Sequence, residues 1–297
     1  MSTFVQGVFS GIALGSIYSL IALGYNIIYS TMRMGHFAQG DFFMFGGILG
    51  YQTLVRWGQN LFISFAVAII GTSLLMLVAE RLAYRAMYTR EGVGLMLSTM
   101  GMQFVVQWIV KIVWGTEGKK MPPMFGTENQ TFDIKMFGDE VHIAHSELII
   151  IGICGVLMIL LAIFMKYTKV GVAMNAVSMN NKAAQLMGVK LTTIISSTYI
   201  LAAAMAAFAG VLMAPRFSVN FNTGIAPGNR AMTAAVLGGF GSMPGAMLGG
   251  VLMGIIETLG AYYISTALRD VFTFVVLVAI LLWRPQGVLG QKSITKV

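Results

Sequence analysis

Long uncharged apolar runs constrain this chain more than any other feature. They lie at about 7–29, 35–55, 61–79, 93–114, 147–165, 191–213, 229–241, 244–263 and 268–283. A hydrocarbon core of about 30 Å is crossed by ~20 apolar residues in a helix. Lipid offers no partner to backbone N–H and C=O groups, so only helices and closed barrels span it. The runs show no two-residue alternation, which selects helices. The expected fold is all-α: a polytopic transmembrane bundle of about eight or nine spans with broken or re-entrant segments, forming one membrane domain over 1–297.

Composition agrees. Hydrophobic residues make up 57% of the 297 and charged residues 10%, whereas soluble domains carry roughly 25% charged residues. The net charge of +8 does not indicate a nucleic-acid partner, because Lys and Arg sit in short loops between apolar runs, the pattern of topology signals. Cys154 is the single cysteine, so no intrachain disulfide forms. No basic segment precedes the first run, which reads as a retained span rather than a cleaved signal.

Loop charges orient the chain. The 166–190 loop has Lys166, Lys169, Lys182 and Lys190 and no acid. The 80–91 segment has Arg81, Arg85 and Arg90, and the tail has Arg284, Lys292 and Lys296. These are expected on the cytoplasmic side. The 115–146 loop carries Glu117, Glu128, Asp133, Asp139 and Glu140 against three Lys and is expected outside. Nine crossings then place the N-terminus outside and the C-terminus inside. This requires the short 229–241 run to cross as a protein-surrounded span.

Glycines recur every fourth residue at Gly7, Gly11 and Gly15, at Gly241, Gly245 and Gly249, and at Gly250 with Gly254. Each set lines one helix face and lets backbones approach closely in lipid. Packing within one subunit is the simpler reading; a subunit interface or pathway wall is the sharper one.

Two regions are too polar or broken for plain spans. One is RMGHFAQGD at 33–41; the other is 215–230, with Asn220, Asn222, Thr223, Pro227 and Gly228. Irregular backbone at membrane depth is tolerated where it is buried in protein or lines a wet cavity, and broken helices hold solutes in transporters. His36, Phe37, Gln39, Asp41 and Asn222 are therefore candidate pathway residues. The ordinary alternatives, an external loop for 215–230 and a short cytoplasmic turn for 33–41, stay open. Glu257 lies inside the 244–263 run, where a charge costs at least ~2.5–3.5 kcal/mol and usually faces protein or water. It joins the candidates. Lys111 is placed to snorkel to the surface.

In the 166–190 loop, Asn180 or Asn181 can cap a helix and Gly188 can end it. The two turns between them carry Ala183, Ala184, Leu186 and Met187. So short a helix is marginal alone and would gain stability in a partner's groove, or by lying on its own subunit or the lipid surface. No phosphate-binding G-x-x-x-x-G-K-[ST] motif, H-E-x-x-H zinc pair or G-x-S-G serine motif occurs, so neither ATP binding nor an enzyme is read from this chain. His142 and His145 alone are a weak metal signal.

Several stretches resemble the permease subunits of branched-chain amino-acid ABC importers, the Liv type, and specifically the shorter permease. GSIYSLIALG at 15–24 with the segment at 37–40 resembles the family's opening. Glu80 to Arg85 resembles its first basic loop, 175–188 with AQLMGV at 184–189 its ATPase-coupling segment, AAVLGGFGSMPGAMLGG at 234–250 its most specific motif, and RPQGVLG at 284–290 its ending. The resemblance implies an importer in the bacterial inner membrane. Its parts would be two related permeases, two cytoplasmic ATPases that bind the ATP, and an external solute-binding protein. The permease itself would hold no cofactor or metal.

By the same resemblance, Asn175, Asn180, Lys182, Ala183, Ala184, Leu186, Met187 and Gly188 would form the coupling segment. Ala184→Arg would then uncouple hydrolysis from uptake. Where the family typically reads Asn-Phe-Ala-His-Gly, this chain has His36, Phe37, Ala38, Gln39 and Gly40. The resemblance thus points to the transporter class more than to one solute, since urea, short-chain amide and other amino-acid importers share this permease type. A stand-alone secondary transporter or channel is the alternative. It predicts an internal repeat and intramembrane coupling charges.

Overall fold

The computed structural model describes residues 2–88, 92–125, 131–136, 139–284 and 286–290. Arg90, Glu128, Lys292 and Lys296, and the side chains of Asp133, Asp139, Glu140 and His142, lie outside what is described. The helices are α1 (Ser2–Met32), α2 (Gln39–Tyr51), α3 (Leu61–Ala79), α4 (Gly92–Trp114), α5 (His145–Tyr167), α6 (Lys169–Met179), α7 (Asn181–Leu186), α8 (Leu191–Met213), α9 (Ile225–Gly238), α10 (Met243–Tyr263) and α11 (Arg269–Trp283). Seven helices among the described residues are long and apolar enough to cross a membrane. The runs at 35–55 and 229–241 instead give shorter helices. α2 continues through a π-helical turn to Arg56. α9 has 14 residues, about 21 Å at 1.5 Å per residue.

Two expected loops are partly regular structure. The 80–91 segment begins as a continuation of α3, through a π-helical turn at Glu80–Tyr84 and a 3-10 turn at Arg85–Met87. The 115–146 loop contains an antiparallel pair, β1 (Thr131–Met136) and β2 (Asp139–Ala144), with Thr131 opposite Ala144 and Ile134 opposite Val141. Apolar residues alternate at Phe132, Ile134 and Met136 and again at Val141 and Ile143, as a half-buried strand requires.

The chain forms two compact units, each assembled from separated segments: Met1–Asn26 with Pro123–Met158 and Arg230–Val297, and Ile27–Pro122 with Ile159–Asn229.

In the first unit, α1 packs on α10 through glycine. A Cβ on Gly11 would lie 2.8 Å from Ile255 Cα, and one on Gly15 would lie 2.7 Å from both Gly250 O and Val251 Cα. Gly250 and Gly254 return the contact to Ser19 and to Gly11 and Gly15. The Ser19 hydroxyl donates across the seam to Met247 O at 2.7 Å. The glycine faces therefore pack helices within one subunit, where lipid leaves van der Waals contact and hydrogen bonding to drive association.

The α9–α10 turn uses Gly239 and Gly241, with φ of 100° and 91°, conformations that side chains resist. Ser242 caps α10 by accepting from Gly245 N at 3.2 Å. Val288 N donates to Leu237 O at 2.8 Å and Leu289 N to Gly238 O at 3.0 Å. The glycine-rich motif at 234–250 and the ending at 284–290 are thus one structural feature, in which the tail supplies donors to the orphan carbonyls of α9.

In the second unit, α2 is buried on nearly every side, as expected of a helix apolar all round. It lies against α8, where a Cβ on Gly46 would meet the Ala207 backbone and one on Gly210 would meet Phe43 O. α8 has 67% of its spanning window buried, against 28% for α4 and 22% for α5. The helix richest in Ala is thus the more deeply buried of the three.

Candidate functional site

The break between α1 and α2 begins at Arg33, whose φ of 56° makes it the only non-glycine residue with positive φ among the described residues. A non-glycine residue in this region costs about 1–2 kcal/mol, so the surroundings must hold it there. The chain then turns inward. His36 is 1% exposed and its ring sits 5.3 Å from that of Tyr84, 5.5 Å from Tyr199 and 6.0 Å from Phe42. Tyr84 arrives on the π-helical turn after α3, and Tyr199 on α8. Neither His36 ring nitrogen, nor the Tyr84 hydroxyl, has a hydrogen-bond partner among the described residues.

Phe37 is half-buried and its N–H donates to Thr99 Oγ1 at 3.3 Å. Gln39, fully buried, donates from Nε2 to Ala202 O at 2.9 Å, while its Oε1 is unpartnered among the described residues. Asp41, 1% exposed, accepts from Gln107 Nε2 at 2.8 Å. Gly40 packs against Gly224 and Gly228 so closely that a Cβ would strike backbone.

The break thus buries His36, Gln39 and Asp41, three polar residues within six positions, all in the second unit. Asn222 does not join them. It is exposed, and its N–H donates to Asn220 Oδ1 at 2.9 Å within a turn. Sequence reasoning missed Tyr84, Tyr199 and Gln107. Only Gln107, a polar residue inside an apolar run, carried a local signal.

Glu257 belongs to the first unit and has a partner that the sequence did not name. Its Oε1 lies 3.0 Å from Arg230 Nη1. Arg230 sits in the second turn of α9, not in an external loop, and also donates to Tyr18 OH at 3.2 Å and to Asp270 Oδ1 at 2.9 Å. Glu257 is 1% exposed and Asp270 is open to the surface. An ion pair buried this far holds because each charge answers the other; removing one partner strands the other.

The 166–190 segment is a helical hairpin. Thr168 caps α6, accepting from Gly171 N at 3.0 Å, and Asn175 Nδ2 donates to Met165 O at 3.1 Å to close the turn from α5. Asn180 caps α7 through Oδ1, accepting from Ala183 N at 3.0 Å, and Gly188 follows with φ 88°. Leu186 is 89% exposed and Met187 85%, with Lys182 and Ala183 also exposed. Ala184 departs from this face: it is 5% exposed and turned inward. Ala184→Arg would first disturb how α7 packs on its own chain, so the outward residues are the informative ones.

Comparison with known proteins identifies the architecture. Residues 7–281 match the family described as branched-chain amino acid transport system, permease component. The high-affinity branched-chain amino acid transport system permease protein LivH of Escherichia coli K12 is 34% identical over 99% of this chain and 98% of the relative. Its counterpart BraD of Pseudomonas aeruginosa is 33% identical over the same shares. The probable LivH of Methanocaldococcus jannaschii is 26% identical over 91% of this chain and 88% of the relative. Among solved structures, PsaBC from Streptococcus pneumoniae in complex with Fab matches with a TM-score of 0.54 at 11% identity, over 95% of this chain and 96% of that one, a likeness of fold alone. These relatives are transport permeases, not enzymes, and the chain belongs to the family of branched-chain amino acid transport system permease components.

Proposed function

We propose that this permease works in an ATP-driven importer for branched-chain or related amino acids, forming half of the translocation pathway beside a second, related permease. Two cytoplasmic ATPases would bind and hydrolyse the ATP, and an external binding protein would deliver the solute. The N-terminus would lie outside and the C-terminus inside.

One observation carries the coupling role. α7 presents Leu186 and Met187 almost fully exposed on a hairpin whose charged residues are all Lys. A rigid, capped helix with an outward apolar face suits a groove on a soluble partner. The broken segment at 33–41, with its unpaired buried polar atoms, is the better candidate for meeting a polar solute. Glu257 is held by Arg230 and suits a framework role. Co-purification with untagged ATPases, followed by uptake in reconstituted vesicles against a panel of amino acids, urea and short amides, tests the reading. ATP-dependent uptake of amino acids supports it, and preference for urea or an amide moves the solute assignment to that class.

A further inference from the structure

We infer that Arg33 is a positioning residue that ties the α6–α7 hairpin to the break at 33–41, so that the two move as one body. The inference rests on the coupling role proposed for α7, and every contact it uses lies within the second unit.

Arg33 Nη2 donates to the main-chain carbonyl of Ser178 at 2.7 Å. Ser178 lies in the last turn of α6, where helix carbonyls lack intrahelical donors and carry the negative end of the dipole. A guanidinium is suited to that position by charge and by fork geometry. The contact is exposed and cannot be explained as relief of a buried charge. Arg33 also holds the left-handed conformation, φ 56°, that ends α1, strain of the kind kept where structure has a task.

The cleft beside the contact, about 280 Å³, is bounded by Ser30, Thr31 and Arg33 on one side and by 177–182 on the other. Below Arg33 the chain has no slack: three residues on, His36 is locked among aromatic rings, and Gln39 is bonded to α8. On the far side, Asn180 starts α7 two residues after Ser178. A displacement of α7 therefore reaches His36 and Gln39 through one side chain and two short, anchored segments.

The test uses the complete importer reconstituted with its ATPases and binding protein. Arg33→Asn removes the arm while keeping a residue type that tolerates the left-handed region; Arg33→Lys keeps a cation of similar reach. Leu186→Cys, tested for cross-linking, first reports whether α7 reaches an ATPase. With that cross-link intact, ATP consumed per solute imported rises at least ~5-fold in Arg33→Asn, the low end of a typical coupling effect, and Arg33→Lys recovers part of it. A wild-type ratio in Arg33→Asn with α7 still cross-linked overturns the strut and leaves the docking role standing. Loss of the cross-link in the unsubstituted background overturns both.

Spin labels at Ser30 and Ser178, with Arg33 unchanged, provide a second reading that needs no Arg33 variant to fold. Their separation stays constant between nucleotide-free and ATP-bound states. A change of about 5 Å, one helical-turn ratchet, contradicts the inference.

Discussion

The two buried polar sites of this permease solve the same problem in opposite ways. In the first unit, Arg230 and Glu257 face each other at 3.0 Å, and Tyr18 and Asp270 take further guanidinium donors. In the second unit, Asp41 has the neutral partner Gln107, while His36, Tyr84 and the Gln39 carbonyl have none among the described residues. The charged site is held by attraction between its ions, although Arg230 Nε and both Glu257 oxygens also lack a hydrogen-bond partner among the described residues; the neutral site has no such attraction, and buried polar atoms left unsatisfied there call for an explanation such as function. The proposal that the charged site is framework and the neutral one meets the solute rests on this contrast.

Substitutions can break that contrast, and the largest effect belongs to the first unit. Glu257→Ala removes the buried carboxylate facing Arg230, leaving it Tyr18 and the surface Asp270, and should destabilise the protein by about 3 kcal/mol, the low end for a broken buried pair. Thermal unfolding in detergent should show uptake and folded protein falling together. Removing both charges, in Arg230→Met with Glu257→Leu, should restore much of the stability.

Gln107→Leu comes next. It leaves the Asp41 carboxylate without its donor and should cost about 1–3 kcal/mol, measured the same way. His36→Phe sharpens the comparison most. It replaces two unpaired nitrogens with an apolar ring among rings, so stability should hold or rise by about 1 kcal/mol. Uptake should nevertheless fall. If uptake per folded molecule is unchanged in His36→Phe, the second site is framework as well. Leu186→Glu is the smallest change to the fold, within about 0.5 kcal/mol for so exposed a position, yet it should abolish pull-down of the ATPases.

The sequence made local features legible and left distant ones hidden. Run length alone marks α1, α3, α4, α5, α8, α10 and α11, because lipid imposes the length. The ends of α7 are legible because an Asn cap and a terminal glycine act within a few residues. The pairing of Arg230 with Glu257 is not, since the partners stand far apart in the chain and Arg230 follows a Pro-Gly pair that resembles a loop. Tyr84 and Tyr199 look like any aromatic residues in apolar runs; only packing brings them to His36. The β-hairpin did leave a signal, the alternation at Phe132, Ile134 and Met136, masked by the acidic character of its loop. Ala184 shows the limit of reading a face from composition, because a small residue suits an inward contact as well as a partner's groove.

Energy supply is the central issue, and uptake into sealed vesicles tests it most directly. Vesicles holding the permease pair, the ATPases and ATP, with the binding protein outside, should accumulate a branched-chain amino acid. Omitting ATP or the ATPases should stop accumulation. Accumulation by this chain alone, indifferent to nucleotide, would contradict the account.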